Sequence, residues 1–339
     1  MWVRLKIWRQ TGNASPSIAA YELEIDPGST ILDCLNQIKW HHDGTLAFRK
    51  NCRNTICGSC TMKINGRSAL ACKENVGHEV RRSGKLDSSQ PPASNPCHDM
   101  PEITVAPMGN LPVIKDLVVD MQGFWNNLHA IKPYVSHVNQ QVPEREFLQT
   151  PFERSKLDAM GNCILCGACY SECNAVQVNP QFVGPHALAK AQRLLADNRD
   201  TQTEERLEDY NNIKGVWGCT RCYYCNSVCP MDVAPMDQIG KIKQRILARH
   251  DDQVDSRAIR HRKVLVNLVK LGGWVDERLF GLQVMSHSLR DLQGLMSLVP
   301  LGLRMIRRGK FPIDFTPSDG VKRVQSLVNR IQQESGQVE

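Results

Sequence analysis

Two short runs of this sequence concentrate thiols in matched register. "CILCGACYSEC" places Cys163, Cys166, Cys169 and Cys173 at C-x2-C-x2-C-x3-C spacing, and "CTRCYYCNSVC" repeats it with Cys219, Cys222, Cys225 and Cys229. Thiolates are soft ligands, and this repeat wraps them around a pair of iron-sulfur cubanes, the fourth cysteine of each run crossing to the other run's cluster. The expected ligand sets are therefore Cys163, Cys166, Cys169 and Cys229 for one 4Fe-4S cluster, and Cys173, Cys219, Cys222 and Cys225 for the other. Nearer the N-terminus, "NCRNTICGSCTMKINGRSALAC" presents Cys52, Cys57 and Cys60 at C-x4-C-x2-C spacing, with Cys72 following after a turn. That is the spacing of a 2Fe-2S site in which one loop supplies three thiolates and a returning strand the fourth.

Other uses of the 14 cysteines fit the sequence less well. Disulfides require export, but "MWVRLKIWRQ" is charged throughout and lacks the apolar stretch of a signal peptide, so reduced thiols are expected. Structural zinc usually pairs two C-x2-C knuckles, and in the first group only Cys57 and Cys60 have that spacing. A zinc-stabilised structural or nucleic-acid adaptor is the alternative of a different class. The formal charge of +7 is scattered, with no aromatic stripe among the basic residues, so no nucleic-acid partner is expected. No uncharged apolar run approaches the roughly 18 residues of a membrane span. Cys34 and Cys97 fall outside the three groups; the first reads as a buried helix residue and the second as a loop residue. His41, His42, His186 and His287 do not group with the cysteines and are expected at the surface or in caps. No acid-base or nucleophile constellation appears, so no catalytic side chain is assigned.

The elements that position these thiols are legible in part. Val3, Leu5 and Ile7 alternate with Arg4 and Lys6, and Leu23 and Ile25 alternate with Glu22 and Glu24, which predicts two half-buried strands. Pro27-Gly28 then turns the chain, Ser29 or Thr30 can cap, and Ile31, Leu35 and Ile38 recur at helical spacing. Asn65-Gly66 signals a hairpin before Cys72. The stretch from Gly77 to Met100 is rich in Ser and Pro, without periodicity, and reads as a long mobile loop; "EITVAP" follows as a closing strand. Between the two paired runs, Ala187, Leu188, Ala191, Leu194 and Leu195 share one helical face. The expected fold class is α+β: a β-grasp 2Fe-2S ferredoxin domain over 1–108, an α-helical two-cluster ferredoxin domain over 109–250, and a helical extension over 251–339.

"FRKNCRNTICGSCTMKINGRSALAC", "PVIKDLVVDM", "CILCGACYSEC" and "CYYCNSVCP", in this order, resemble the iron-sulfur subunit of succinate dehydrogenase or fumarate reductase over roughly the first 250 residues. The resemblance implies docking on an FAD-containing flavoprotein subunit where substrate is oxidised, and passage of electrons through three clusters to a quinone. The usual family member has no cysteine at the position of Cys222, and its third cluster is 3Fe-4S; here a fourth thiolate implies 4Fe-4S, as in a variant branch. Thr220, Val178 and Asn174 replace the usual histidine, tryptophan and proline near the quinone, so no quinone site is carried over. Asn54 and Thr55 replace an acidic residue and a glycine between two-iron ligands.

Beyond residue 250, Met285, Leu289, Leu292, Met296, Val299, Leu303 and Ile306 form an apolar helical stripe. Pro300 is expected to kink or restart that helix, and Arg304, Arg307, Arg308 and Lys310 gather at its end. "LVPLGLRMIRRGKFP" resembles the tail of heterodisulfide-reductase-like iron-sulfur subunits, which implies a cysteine-rich partner in place of a membrane anchor. Core or partner-helix packing is the favoured reading of the stripe, and contact with a membrane surface the alternative. The functional expectation is an electron-transfer subunit of succinate dehydrogenase, peripheral on the cytoplasmic side of a membrane. The alternatives are fumarate reductase, another flavin-linked dehydrogenase acting on a hydroxy acid or thiol, or a heterodisulfide-reductase-like complex.

Overall fold

Alternation along the first strand builds the first core. In β1 (Trp2–Arg9), Val3, Leu5 and Ile7 are fully buried, while Arg4 and Lys6 on the other face pair with Glu22 and Glu102. The computed structural model describes residues 1–83, 100–138, 141, 143–249, 257–286, 292–311 and 314–335. Strand β2 (Ser17–Glu24) runs antiparallel to β1 and leads to α1 (Ile31–His41). Thr30 caps α1 in a reciprocal box with Asp33, and Ile31, Cys34, Leu35 and Ile38 point into the core. His41 lies in the last turn and His42 forms the C-cap, as expected.

Strands β3 (Thr61–Ile64) and β4 (Arg67–Leu70) form a hairpin around Asn65 and Gly66, whose φ values of 49° and 79° are those of a primed two-residue turn. After α2 (Val76–Arg82), β5 (Glu102–Ala106) pairs parallel with β1 and antiparallel with β3, giving the order β2-β1-β5-β3-β4. Helix α2 corrects the reading of residues 77–100 as loop throughout. Asn75 caps it and Val76 and Val80 bury one turn apart, a pattern too short to register as periodicity. The rest of that stretch, residues 84–99 with Cys97, lies outside the described residues.

A small hairpin, β6 (Val113–Lys115) with β7 (Val118–Val119), was not expected from the sequence. Its turn residue Asp116 is buried and accepts from Arg9 Nε at 3.0 Å, Gln10 N at 3.2 Å and Ala47 N at 2.9 Å. One carboxylate thus ties β1 to the segment that enters the Cys52 loop.

The helical region contains α3 (Gln122–Ala130), α4 (Pro151–Ser155), α5 (Asp158–Gly161), α6 (Ala168–Ser171), α7 (Asn174–Val178), α8 (Pro185–Leu195), α9 (Thr203–Tyr210), a 3-10 turn at Val216–Gly218, α10 (Tyr224–Ser227) and α11 (Pro235–Arg249). Ala187, Leu188, Ala191, Leu194 and Leu195 of α8 share a core with Ile239, Ile242 and Ile246 of α11. Arg206 is buried with Asp200 at 2.8 Å and donates to the carbonyls of Ile131, Lys132 and Tyr134, pinning the segment after α3.

His186, expected at the surface or in a cap, is instead 1% exposed. Its ring stacks on Phe124 at 3.8 Å and meets Tyr170 edge-on at 5.3 Å. Nε2 donates to the Phe124 carbonyl at 2.9 Å, since a carbonyl only accepts, and the bare Nδ1 has no partner.

The β-grasp sheet meets the helical region through small residues. At Gly58, with φ 71°, a Cβ would fall 2.8 Å from both Cα and Cβ of Cys166. Ser68 donates to Glu172 at 2.6 Å, Lys63 pairs with Glu172, and Gly109 N donates to Ser171 Oγ at 2.8 Å.

The chain divides into two compact units, Met1–Ile246 and Leu247–Glu339. The second contains α12 (Arg257–Gly272), α13 (Glu277–Ser286), α14 (Leu292–Arg307) and α15 (Val321–Ser335), with α12 against α13 and α15, and α13 against α14. Helix α14 runs unbroken through Pro300 rather than restarting there. Its stripe is not core: Leu292, Met296, Val299, Leu303 and Ile306 are exposed. Met285 belongs to α13, and His287 and Leu289 lie outside the described residues.

Three outcomes are expected. Gly58→Ala adds a methyl against backbone atoms and a left-handed φ, and should cost about 2–4 kcal/mol in chemical denaturation. Gly66→Ala, with a similar φ and open space around it, should cost only about 1 kcal/mol. Burial pushes the His186 imidazole down to about 4. Its contribution to stability is therefore present above its unfolded value of about 6.5 and lost as pH falls through about 4, an effect on the order of 3 kcal/mol. Denaturation midpoints across that range should fall less steeply in His186→Phe than in the wild type.

Candidate metal centres

The loop after α1 points its amides at its own sulfurs. The N–H groups of Asn54 and Cys57 donate to Cys52 Sγ at 3.3 Å, that of Cys52 to Cys57 Sγ at 3.4 Å, and that of Thr55 to Cys72 Sγ at 3.4 Å. Arg53 and Thr55 adopt φ values of 58° and 60° to make this turn. For a β-branched residue such as Thr55 that conformation is strained, which fits the glycine common at this position in the resembling family. Cys57, although burial opposes it, is brought down to about 6 by hydrogen bonds from Ser59 and Cys52. Cys60 is pushed up to about 12, chiefly by burial and further by the neighbouring Cys72 and Cys57. All four expected residues of this group are thus brought together. The amide donors to sulfur in this loop are those of Cys52, Asn54, Thr55 and Cys57, while the missing side chain of Gly58 admits Cys166.

The two paired runs border two cavities. One is lined by Cys163, Cys166, Cys169 and Cys229 together with His186 and Pro235. The other is lined by Cys173, Cys219, Cys222 and Cys225 together with Pro185 and Thr220. The fourth cysteine of each run has crossed to the other run's cavity. Among the described residues no group of three or more His, Cys, Asp or Glu side chains forms a site for a single metal ion, and each quartet instead surrounds a space. Four thiols around such a space suit a polynuclear iron-sulfur centre. Burial raises the thiols of Cys166 to about 11 and of Cys225 to about 12, and raises Cys169 well above its ordinary value, so metal must displace protons there.

Both runs fold alike. Leu165 and Arg221, each just before the second cysteine, have φ values of 53° and 60°; Gly167 and Tyr223, each just after it, have 83° and 64°. The short helices α6 and α10 then begin at equivalent positions. Cys222 therefore occupies in the second loop the place that Cys166 holds in the first. It is more exposed than Cys166.

Further residues support the loops. Asn110 Nδ2 donates to the carbonyls of Tyr170, Ser171 and Cys173, fixing the chain where it delivers Cys173. Val233 N donates to Cys229 Sγ at 3.4 Å. Lys190 Nζ reaches the Cys163 carbonyl at 3.4 Å and Lys243 Nζ the Cys219 carbonyl at 3.3 Å, placing one cation beside the first cysteine of each run. Sequence reading singled out neither lysine, nor Asn110, nor the place of His186 on the cavity wall. Lysines on helices carry no local signal for such roles. Val178 is exposed, and Cys34 is buried in α1, in the core it shares with Cys60.

Comparison with known proteins agrees with this geometry. The model of a 2Fe-2S iron-sulfur cluster binding domain matches residues 4–126, and that of a 4Fe-4S dicluster domain matches residues 159–233. The fumarate reductase iron-sulfur subunit of Escherichia coli is 35% identical over 233 residues, 68% of this chain and 87% of its own. That of Mycobacterium tuberculosis is 36% identical over 237 residues, covering 70% and 88% respectively. A chain of the Mycobacterium smegmatis Sdh1 complex in the apo form shares the fold, with a TM-score of 0.63 at 24% identity over 75% of this chain and 98% of that one. The zinc adaptor reading gives way to these matches, which bear out 2Fe-2S and 4Fe-4S clusters. The chain belongs to the family of succinate dehydrogenase and fumarate reductase iron-sulfur subunits, and its role is electron transfer.

Proposed function

We propose that this chain relays electrons between an FAD-containing flavoprotein subunit, where succinate is oxidised, and a quinone, by way of three clusters. The observation that carries the reading is the exchange of Cys173 and Cys229 between the two cavities. Cys52, Cys57, Cys60 and Cys72 would hold 2Fe-2S; Cys163, Cys166, Cys169 and Cys229 one 4Fe-4S; Cys173, Cys219, Cys222 and Cys225 the other. When bound, such clusters supply one-electron redox centres. The residues of the chain then set their surroundings: amides of the Cys52 loop donate to thiolate sulfurs, and Lys190 and Lys243 place positive charge near two of the quartets.

Cys222 decides the type of the third cluster. Its position on the cavity wall and its matched backbone favour its serving as a fourth ligand. The chain would sit peripherally on the cytoplasmic side of a membrane, with a cysteine-rich heterodisulfide-reductase-like subunit or a membrane anchor as its second partner. Electron flow toward fumarate is the second reading, favoured by what the curated relatives are called.

Low-temperature EPR on anaerobically purified, oxidised protein should be silent. Cys222→Ser should bring up the signal of a 3Fe-4S centre with loss of one iron; a 3Fe-4S signal already present in the wild type and unchanged in the variant would make Cys222 a bystander. In the purified complex, succinate-driven dye reduction outpacing fumarate-driven oxidation of a reduced dye is expected. The reverse ratio favours the fumarate reading, and neither activity would point to another flavin-linked substrate.

A further inference from the structure

Helix α14 presents three distinct faces. Gly294, Leu298 and Met305, on one side of the helix, are buried or half-buried, and α14 packs along α13. Leu292, Met296, Val299, Leu303 and Ile306, spaced by four, three, four and three residues, form a second, exposed face beside it. Gln293, Ser297, Pro300, Arg304 and Arg307 make up a polar third face, so the proline sits where its lost hydrogen bond opens toward water. An apolar row left exposed while the helix already has a packing face is not explained by the fold of this unit.

Charge narrows what covers it. From Leu292 to Phe311 there is no Asp or Glu, while Arg304, Arg307, Arg308 and Lys310 crowd the C-terminal end. Among the described residues none of these cations forms an ion pair. Phe311, also exposed, folds back toward Gly302 of the helix. An apolar strip with uncompensated arginines along its border matches the interface of an anionic bilayer, where the strip enters the acyl boundary and the cations meet phosphate groups. At 16 residues the helix spans about 24 Å, short of the roughly 30 Å of a bilayer's hydrocarbon core, and no helix among the described residues is long and apolar enough to cross a membrane. Lying on the surface is the geometry that remains.

We infer that α14 is a membrane-surface helix, seating this chain on anionic lipid through Leu292, Met296, Val299, Leu303 and Ile306 with Arg304, Arg307, Arg308 and Lys310 at the headgroups. The inference rests on α14 alone and not on the proposed electron relay, so lipid binding and redox activity are tested separately.

The test is flotation of the purified full chain with vesicles of phosphatidylcholine alone and of phosphatidylcholine mixed with phosphatidylglycerol. Binding to the mixed vesicles is expected, with little to the neutral ones and weakening as salt is added. Leu303→Glu, at a position already 62% exposed, should lower partitioning on the order of tenfold or more, as should Arg304→Glu combined with Arg307→Glu. Leu301→Gln, a neutral change on the opposite side of the helix at a position 51% exposed, should leave it unchanged. Absence of vesicle binding, equal binding to both vesicle types, or insensitivity to Leu303→Glu would each overturn the inference. So would a concentration-dependent dimer that Leu303→Glu abolishes without any lipid binding, since the face would then belong to a second copy.

Discussion

Everything in the first unit answers to one constraint: a thiol from each paired loop has to reach the cavity of the other. Cys173 leaves the first run and borders the second cavity, while Cys229 leaves the second run and borders the first. Neither loop can close its own quartet. The two runs must therefore be held face to face, and the core to which α8 contributes Leu188 and Ala191 and α11 contributes Ile239 and Ile242 does so. The long separation between the runs is filled by helix because only a buried helical face orders that much chain cheaply enough.

The same demand governs the approach of the β-grasp sheet. Gly58 gives up a side chain so that the Cys52 loop can lie against Cys166, and the Ser68, Glu172 and Ser171 contacts hold that approach from the side. Asp116 fixes the base of the loop from behind, binding Arg9 and the Ala47 amide at once. Short distances between successive centres favour transfer, and in this chain the first and second quartets meet at the backbone of Gly58 and Cys166, with the Ser68, Ser171 and Glu172 side chains bridging beside them. Backbone is the better spacer, because it has no rotamers to relax into.

Much of this was legible beforehand. The three cysteine groups, the strand alternation of Val3, Leu5 and Ile7, the Thr30 cap, the Asn65-Gly66 hairpin and the α8 face all follow from local spacing, and each appears in the structure. What escaped did so for physical reasons. Helix α2 and the β6-β7 hairpin are too short to generate a period. His186 reads as an ordinary polar residue near a helix start, yet Phe124, brought from 62 positions away, stacks its ring on it and accepts its Nε2–H through the backbone carbonyl. The apolar stripe of the C-terminal unit was visible, but periodicity cannot say which face a helix buries. Gly294, Leu298 and Met305 turn out to serve that purpose instead.

By itself, then, the sequence determined the chemistry: how many thiols stand in each group, at what spacing, and therefore which kind of centre each group suits. Ligand spacing is local and survives any arrangement of the rest of the chain. Tertiary structure alone decided which thiols share a cavity wall with His186, where Lys190 and Lys243 bring their charge, and why Gly58 must lack a Cβ. Those are relations between segments far apart in the chain, fixed by packing and by the satisfaction of buried polar groups, and no local pattern encodes them.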